Sequence, residues 1–159
     1  EGLHTALDTS GQVPWRVYER VLPYVDLVLY DLKHIDPVTH RKYTGASNDL
    51  ILDNLVKISE YGLPAATAAQ AGVPIEIRMP IIPGINDAKK DIVGAAMFLS
   101  TLKNIILVDL LPYHRLGESK YSRLGEEYKL EGLQPPSKEH MNEIAEWIRS
   151  YGLEVHVGG

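Results

Sequence analysis

The chain has 159 residues, enough for one domain with a sizeable core, and at 45% hydrophobic and 23% charged its composition excludes a disordered polymer. A formal net charge of -5, with only His40 to Lys42 as a dense basic cluster, excludes the electrostatic footprint of a nucleic-acid or anionic-membrane binder. No apolar run approaches the roughly 20 residues that cross a bilayer and the opening EGLHTALDTSG lacks a signal-peptide layout, so we expect a cytoplasmic protein; the absence of cysteine removes disulfides, thiolate metal sites and iron-sulfur ligation by these residues and says little about redox compartment.

Taken in chain order, the first apolar run is LHTALDTSG (3 to 11). Glu1 and Gly2 stand before it with nothing that would blunt a sheet edge, which favours strands preceding this chain. Pro14 suits a first helical turn, Trp15, Tyr18, Val21, Leu22 and Val25 recur at helical spacing, and Pro23 predicts a kink or an early end. LVLYDLKH (27 to 34) is the second strand. Asp36 and Pro37 open a short helix to about Tyr43, and Asn48 is expected to cap a longer one with Ile51, Leu52, Leu55 and Ile58 inward and Gly62 as its stop.

LPAATAAQAGVP (63 to 74) reads as an extended connection, and PIEIRMPIIPG (74 to 84) as the third strand. Asp87 is expected to start a helix whose inward stripe is Ile92, Ala95, Ala96, Leu99 and Leu102. NIILVDLLPYH (104 to 114) is the fourth strand. Residues 112 to 136 are long for an idle loop and suit a functional or partner-binding segment. Ser137 caps a last helix bearing Met141, Ile144, Ala145, Ile148 and Tyr151, Gly152 ends it, and LEVHV (153 to 157) closes the sheet. Strand alternating with helix is the rhythm of a parallel α/β fold. Four βα units are too few for an eight-stranded barrel of about 250 residues, and no domain boundary or internal repeat interrupts residues 1 to 159.

In such folds the site lies at the carboxyl ends of the strands. Those ends carry Asp8 and Thr9, then Asp31 and Lys33, then Arg78, then Asp109 with Tyr113 and His114. Spacing by two puts Leu29, Asp31 and Lys33 on one face. Asp31 can accept from an ammonium and Lys33 can meet a carboxylate, so the pair suits a zwitterion; a structural ion pair at the rim is the competing reading. Arg78 can grip a carboxylate or stack on an adenine ring, and His114 can donate to a ribose hydroxyl. His4, His34, His40, His140 and His156 lack close ligand spacing and suit packing or solvent exposure. No glycine-rich phosphate loop is present.

LDTSG (7 to 11), LVLYDLK (27 to 33), YTGASN (43 to 48), IRMPIIPGIND (77 to 87), LLPYHRLGESKY (110 to 121) and LGEEYKL (124 to 130) together resemble the glycyl-radical-enzyme activating enzymes of the radical S-adenosylmethionine (SAM) superfamily. The resemblance implies part of a (β/α)6 barrel: about four βα units and a carboxyl-terminal strand. It also implies an oxidoreductase whose [4Fe-4S] cluster binds S-adenosylmethionine and cleaves it to a 5′-deoxyadenosyl radical. That radical takes a hydrogen from a glycine of a partner glycyl radical enzyme such as pyruvate formate-lyase, with flavodoxin or ferredoxin as reductant. By position, Asp31 and Lys33 match the residues on the methionine amino and carboxylate groups, His114 the residue beside the nucleoside, and Arg78 an arginine near the cofactor. Asp8, Thr9, the Leu29 carbonyl and Asp31 match a monovalent-cation site.

The family's CxxxCxxC triplet and the paired glycines after its second strand are absent, so the chain is expected to be a carboxyl-terminal portion that by itself holds no cluster and is inactive. Two other readings compete. Lys33 would be a Schiff-base lysine in an aldolase-like half-barrel, or the chain would be a non-enzymatic docking module using its exposed edge with Tyr113, Tyr121 and Tyr128.

Overall fold

A computed structural model describes residues 2 to 62, 72 to 114 and 132 to 158. The strands are β1 (Ala6–Thr9), β2 (Leu27–Asp31), β3 (Ile75–Ile81), β4 (Ile105–Pro112) and β5 (Val155–Val157). The helices are α1 (Trp15–Val21), continued by a 3-10 turn (Leu22–Tyr24), α2 (Pro37–Thr44), α3 (Asp49–Glu60), α4 (Lys89–Ser100) and α5 (Lys138–Arg149). All four strand pairings are parallel and the sheet order is β1-β2-β3-β4-β5. Five parallel strands in sequence order with helical crossovers form a partial α/β barrel, as expected.

Parallel neighbours in sequence order require every connection to cross the sheet, and here the crossovers share one face. Tyr30, Ile77, Val108 and Val155 stand in register across β2 to β5, and all are buried. They join Tyr18 of α1, Leu55 and Ile58 of α3, Ala96 and Leu99 of α4, and Ile144 and Ile148 of α5 in one hydrophobic cluster. The alternate strand positions point away from that cluster. The period-2 pattern of β3, in which residues 75, 77, 79 and 81 are buried and 76, 78 and 80 are half-buried, displays the two faces directly. Among the described residues, β1 pairs only with β2 and β5 only with β4, so the sheet is open at both sides.

Helix boundaries follow the sequence signals with two corrections. Pro23 does end α1, through the 3-10 turn at Leu22–Tyr24. Asp36 caps α2 by accepting from Thr39 N–H at 2.7 Å, and Ser137 caps α5 by accepting from His140 N–H at 3.1 Å. Asn48 precedes α3 but makes no side-chain cap bond, because its carboxamide turns inward to other carbonyls. Asp87 does not start α4, which begins at Lys89 after Ala88; its oxygens are taken by Gly84 N–H and the His140 ring. The alanine-rich connection falls largely in 63 to 71, outside the described residues, as do Tyr121, Tyr128 and most of the long loop. No described helix is long and apolar enough to cross a membrane.

Candidate functional site

The face turned away from the helices carries the polar residues singled out by sequence. In the parallel register Asp31 of β2 stands beside Arg78 of β3, Arg78 beside Asp109 of β4, and Asp109 beside His156 of β5. Each is offset by one residue from a fully buried neighbour, so the alternation that builds the core also builds this charged row.

Arg78 is the hub. Its Nε and Nη2 donate to Asp31 Oδ1 at 3.0 and 2.7 Å, while Nη1 and Nη2 donate to the two oxygens of Asp8. Burial alone would lower the pKa of this guanidinium, but the bonds to Asp8 and Asp31 outweigh it and raise it, so the group is a permanent cation. All the guanidinium nitrogens are committed to these two carboxylates. Arg78 therefore acts through the face of its plane or as a fixed strut, and a two-point edge-on grip of a ligand carboxylate would first require release of Asp8 or Asp31, since one N–H of Nη1 alone is left over.

Lys33 follows the end of β2 and places Nζ 3.4 Å from Asp31 Oδ2. That is longer than the roughly 2.7 to 2.9 Å of a well-made charge-assisted bond, so the pair is loose. The Lys33 side chain is 43% exposed and that of Asp31 26%. Asp31 Oδ2 and Lys33 Nζ can each exchange the other for a ligand group of opposite charge, and they sit at the spacing of one ammonium beside one carboxylate. An amine nucleophile needs a desolvated pocket, and the exposed Lys33 facing a carboxylate lacks one, which argues against the Schiff-base reading.

The structure thus joins Asp8, Asp31, Lys33 and Arg78 in one hydrogen-bonded network and leaves three other expected residues outside it. The Thr9 hydroxyl lies against Tyr18 Oη at 2.8 Å and accepts from Gly11 N–H, on the helix side of the sheet. Leu29 is half-buried and stands beside Asp8 in β1 and Glu76 in β3. His114 is exposed just beyond β4. Tyr113, offered above for docking, is instead only 8% exposed.

Sequence reading missed two features. His156 was set aside, yet its Nδ1 lies 2.7 Å from Asp109 Oδ1 in the charged row; the alternation of LEVHV, which puts His156 opposite the buried Val155, is the signal that places it there. Asn86 stands within IRMPIIPGIND with no role assigned to it. It is buried, donating from Nδ2 to the Lys33 and Pro80 carbonyls at 2.9 and 2.6 Å and accepting from Ile82 N–H at 2.7 Å. No local pattern announces the bond to Lys33, which lies 53 residues away, although Pro80 and Ile82 are near in sequence.

Comparison with known proteins gives this geometry a setting. No family model matches the chain. It is 40% identical over 161 residues to the trans-4-hydroxy-L-proline dehydratase activating enzyme of Clostridioides difficile, a match spanning 100% of this chain and 50% of that protein. It is 39% identical to the indoleacetate decarboxylase activating enzyme of Tractidigestivibacter scatoligenes, over 95% of this chain and 45% of that one. Among solved structures, a domain of a pyruvate formate-lyase-activating enzyme from Bacteroides vulgatus superposes with a TM-score of 0.77 at 29% identity, covering 99% of this chain and 83% of that chain. A radical SAM methyltransferase from Sphaerobacter thermophilus shares the fold, with a TM-score of 0.63 at 18% identity.

Fold and matches together define a partial α/β barrel of the kind found in the pyruvate formate-lyase-activating enzyme domain. In sequence the chain is similar to the activating enzymes of glycyl radical enzymes, and it spans about half the length of the curated relatives it matches.

Proposed function

We propose that this chain is the carboxyl-terminal half of a radical SAM activating enzyme that installs a glycyl radical on a partner enzyme, pyruvate formate-lyase or a relative, with flavodoxin or ferredoxin supplying the electron. The observation that carries this reading is the loose Asp31 and Lys33 pair on the open face of the sheet. Its donor set fits the methionine end of S-adenosylmethionine, with the carboxylate of Asp31 toward the amino group and the ammonium of Lys33 toward the carboxylate. Arg78 holds Asp31 in place, and His114 at the exit of β4 lies toward the nucleoside.

A monovalent cation would take Asp8, the Leu29 carbonyl and Asp31, provided Arg78 releases a carboxylate; Thr9 would join it through its backbone, because its hydroxyl is held by Tyr18 and Gly11 on the helix side. A [4Fe-4S] cluster does not fit these residues, because the chain has no cysteine and clusters of this kind are held by thiolates. In this reading the ligands lie in the other half of the protein, and the half described here binds and orients the organic cofactor.

Two experiments test the proposal. Reading the coding sequence upstream of Glu1 should reveal a CxxxCxxC triplet within about 100 residues, the length of two further βα units; its absence would remove the radical reading. In the full-length protein, Lys33→Met should weaken S-adenosylmethionine binding about tenfold by calorimetry, the loss of one charge-assisted contact. Unchanged affinity would mean that Lys33 does not meet the cofactor.

A further inference from the structure

Three buried asparagine carboxamides each donate both amide hydrogens to carbonyls of the loops that leave the strands. Asn54 holds Gly11 and Val13 at 2.8 and 2.7 Å, beyond β1. Asn48 holds His34 and Ile35 at 2.9 and 2.8 Å, beyond β2. Asn86 holds Lys33 and Pro80, tying the exit of β2 to the end of β3. Their orientation is dictated by their partners: a flipped amide would point its oxygen at carbonyl oxygens, which cannot donate.

Three consecutive carbonyls, those of Lys33, His34 and Ile35, are therefore clamped by two buried side chains. The last bond tying β2 to β3 is Leu32 N–H to the Arg78 carbonyl at 3.0 Å. Beyond it, among the described residues, the backbone of Lys33 has no sheet partner and its side chain makes only the 3.4 Å contact with Asp31. A four-carbon stem on a free backbone would lose much conformational entropy on meeting a ligand. Asn86 supplies the anchoring that the sheet does not.

We infer that Asn86, assisted by Asn48, is a positioning residue for Lys33: by fixing the Lys33 carbonyl it delivers the ammonium beside Asp31 in a geometry ready for a ligand carboxylate. This rests on the role proposed above for Lys33, and it adds a residue that touches no ligand itself.

The test is calorimetric binding of S-adenosylmethionine and of its decarboxylated analogue, which keeps the amine and lacks the carboxylate, to the full-length protein. Lys33→Met should weaken the first about tenfold and leave the second unchanged. Asn86→Ala and Asn86→Asp should show the same selective loss. The aspartate keeps an oxygen for Ile82 N–H and removes both donors, so it separates support of Lys33 from support of the loop. Combining Asn86→Ala with Lys33→Met should add nothing further to Lys33→Met alone.

Equal weakening of both ligands by the Asn86 variants, or full additivity with Lys33→Met, would overturn the inference while leaving the role of Lys33 intact. A Lys33→Met protein that binds both ligands like the wild type would instead remove the underlying reading. If the Asn86 variants do not fold, Asn48→Ala, which frees the next two carbonyls, gives the same comparison: a selective loss supports the clamp and an equal loss refutes it.

Discussion

At the scale of single residues, the contact between Gly11 and Tyr30 shows how closely the core approaches the strand exits. Gly11 has φ +79°, and a Cβ there would lie 2.0 Å from the Tyr30 hydroxyl oxygen. That hydroxyl donates to the Ile51 carbonyl at 2.6 Å, and burial raises its pKa far above the ordinary tyrosine value. Gly11→Ala should therefore combine backbone strain with displacement of a buried hydrogen bond, at a cost of about 2 to 4 kcal/mol. Urea denaturation monitored by far-ultraviolet circular dichroism measures it, and a loss under about 0.5 kcal/mol, the range of an ordinary surface change, would show that Tyr30 moves aside freely. In the charged row, sequence identified every member of the Asp8, Arg78, Asp31 and Lys33 network from strand-end position and charge. It did not identify the pairing, in which Arg78 commits four of its five N–H donors to Asp8 and Asp31, because the pairing depends on which strands are neighbours.

At the scale of elements, helix starts separate signals that act locally from those that do not. Asp36 and Ser137 are legible because a cap needs only a side chain and an N–H three residues on. Asn48 and Asp87 carry the same sequence signature, but carbonyls of the β2 exit take the first, and the Gly84 N–H and the His140 ring take the second. The Asp36 cap also has a pH signature. Its bond from Thr39 N–H holds the carboxyl below the usual carboxylate range, so the folded pKa is depressed relative to the unfolded one. Its stabilisation is thus fully present above the unfolded value of about 3.9 and is lost as pH falls through the folded value. Asp36→Ala should be less stable than wild type at neutral pH, and the difference should shrink as the solution is acidified below pH ~4. A gap that stays constant to the lowest accessible pH would mean that the charge contributes nothing to the cap.

At the scale of the whole molecule, the sheet is two-faced: one side packs under α1, α3, α4 and α5, and the other carries the charged row in the open. On the function proposed above, this chain holds one side of a cofactor site and should bind that cofactor poorly by itself. The 159-residue chain is expected to bind S-adenosylmethionine far more weakly than the full-length protein in parallel calorimetry, and nanomolar affinity for the isolated chain would contradict the division of the site between two halves. The alternation of strand and helix, the inward stripes and the sign of each strand end are written locally, in periods of 2 and 3.6 residues, so sequence by itself determined the parallel α/β class and the polar rim. Only the tertiary structure decided that Asn86 reaches back 53 residues to Lys33, that His156 faces Asp109 and that Arg78 is spent on two carboxylates. Those contacts join segments whose approach is set by strand order and register, and nothing within a local window of sequence encodes either.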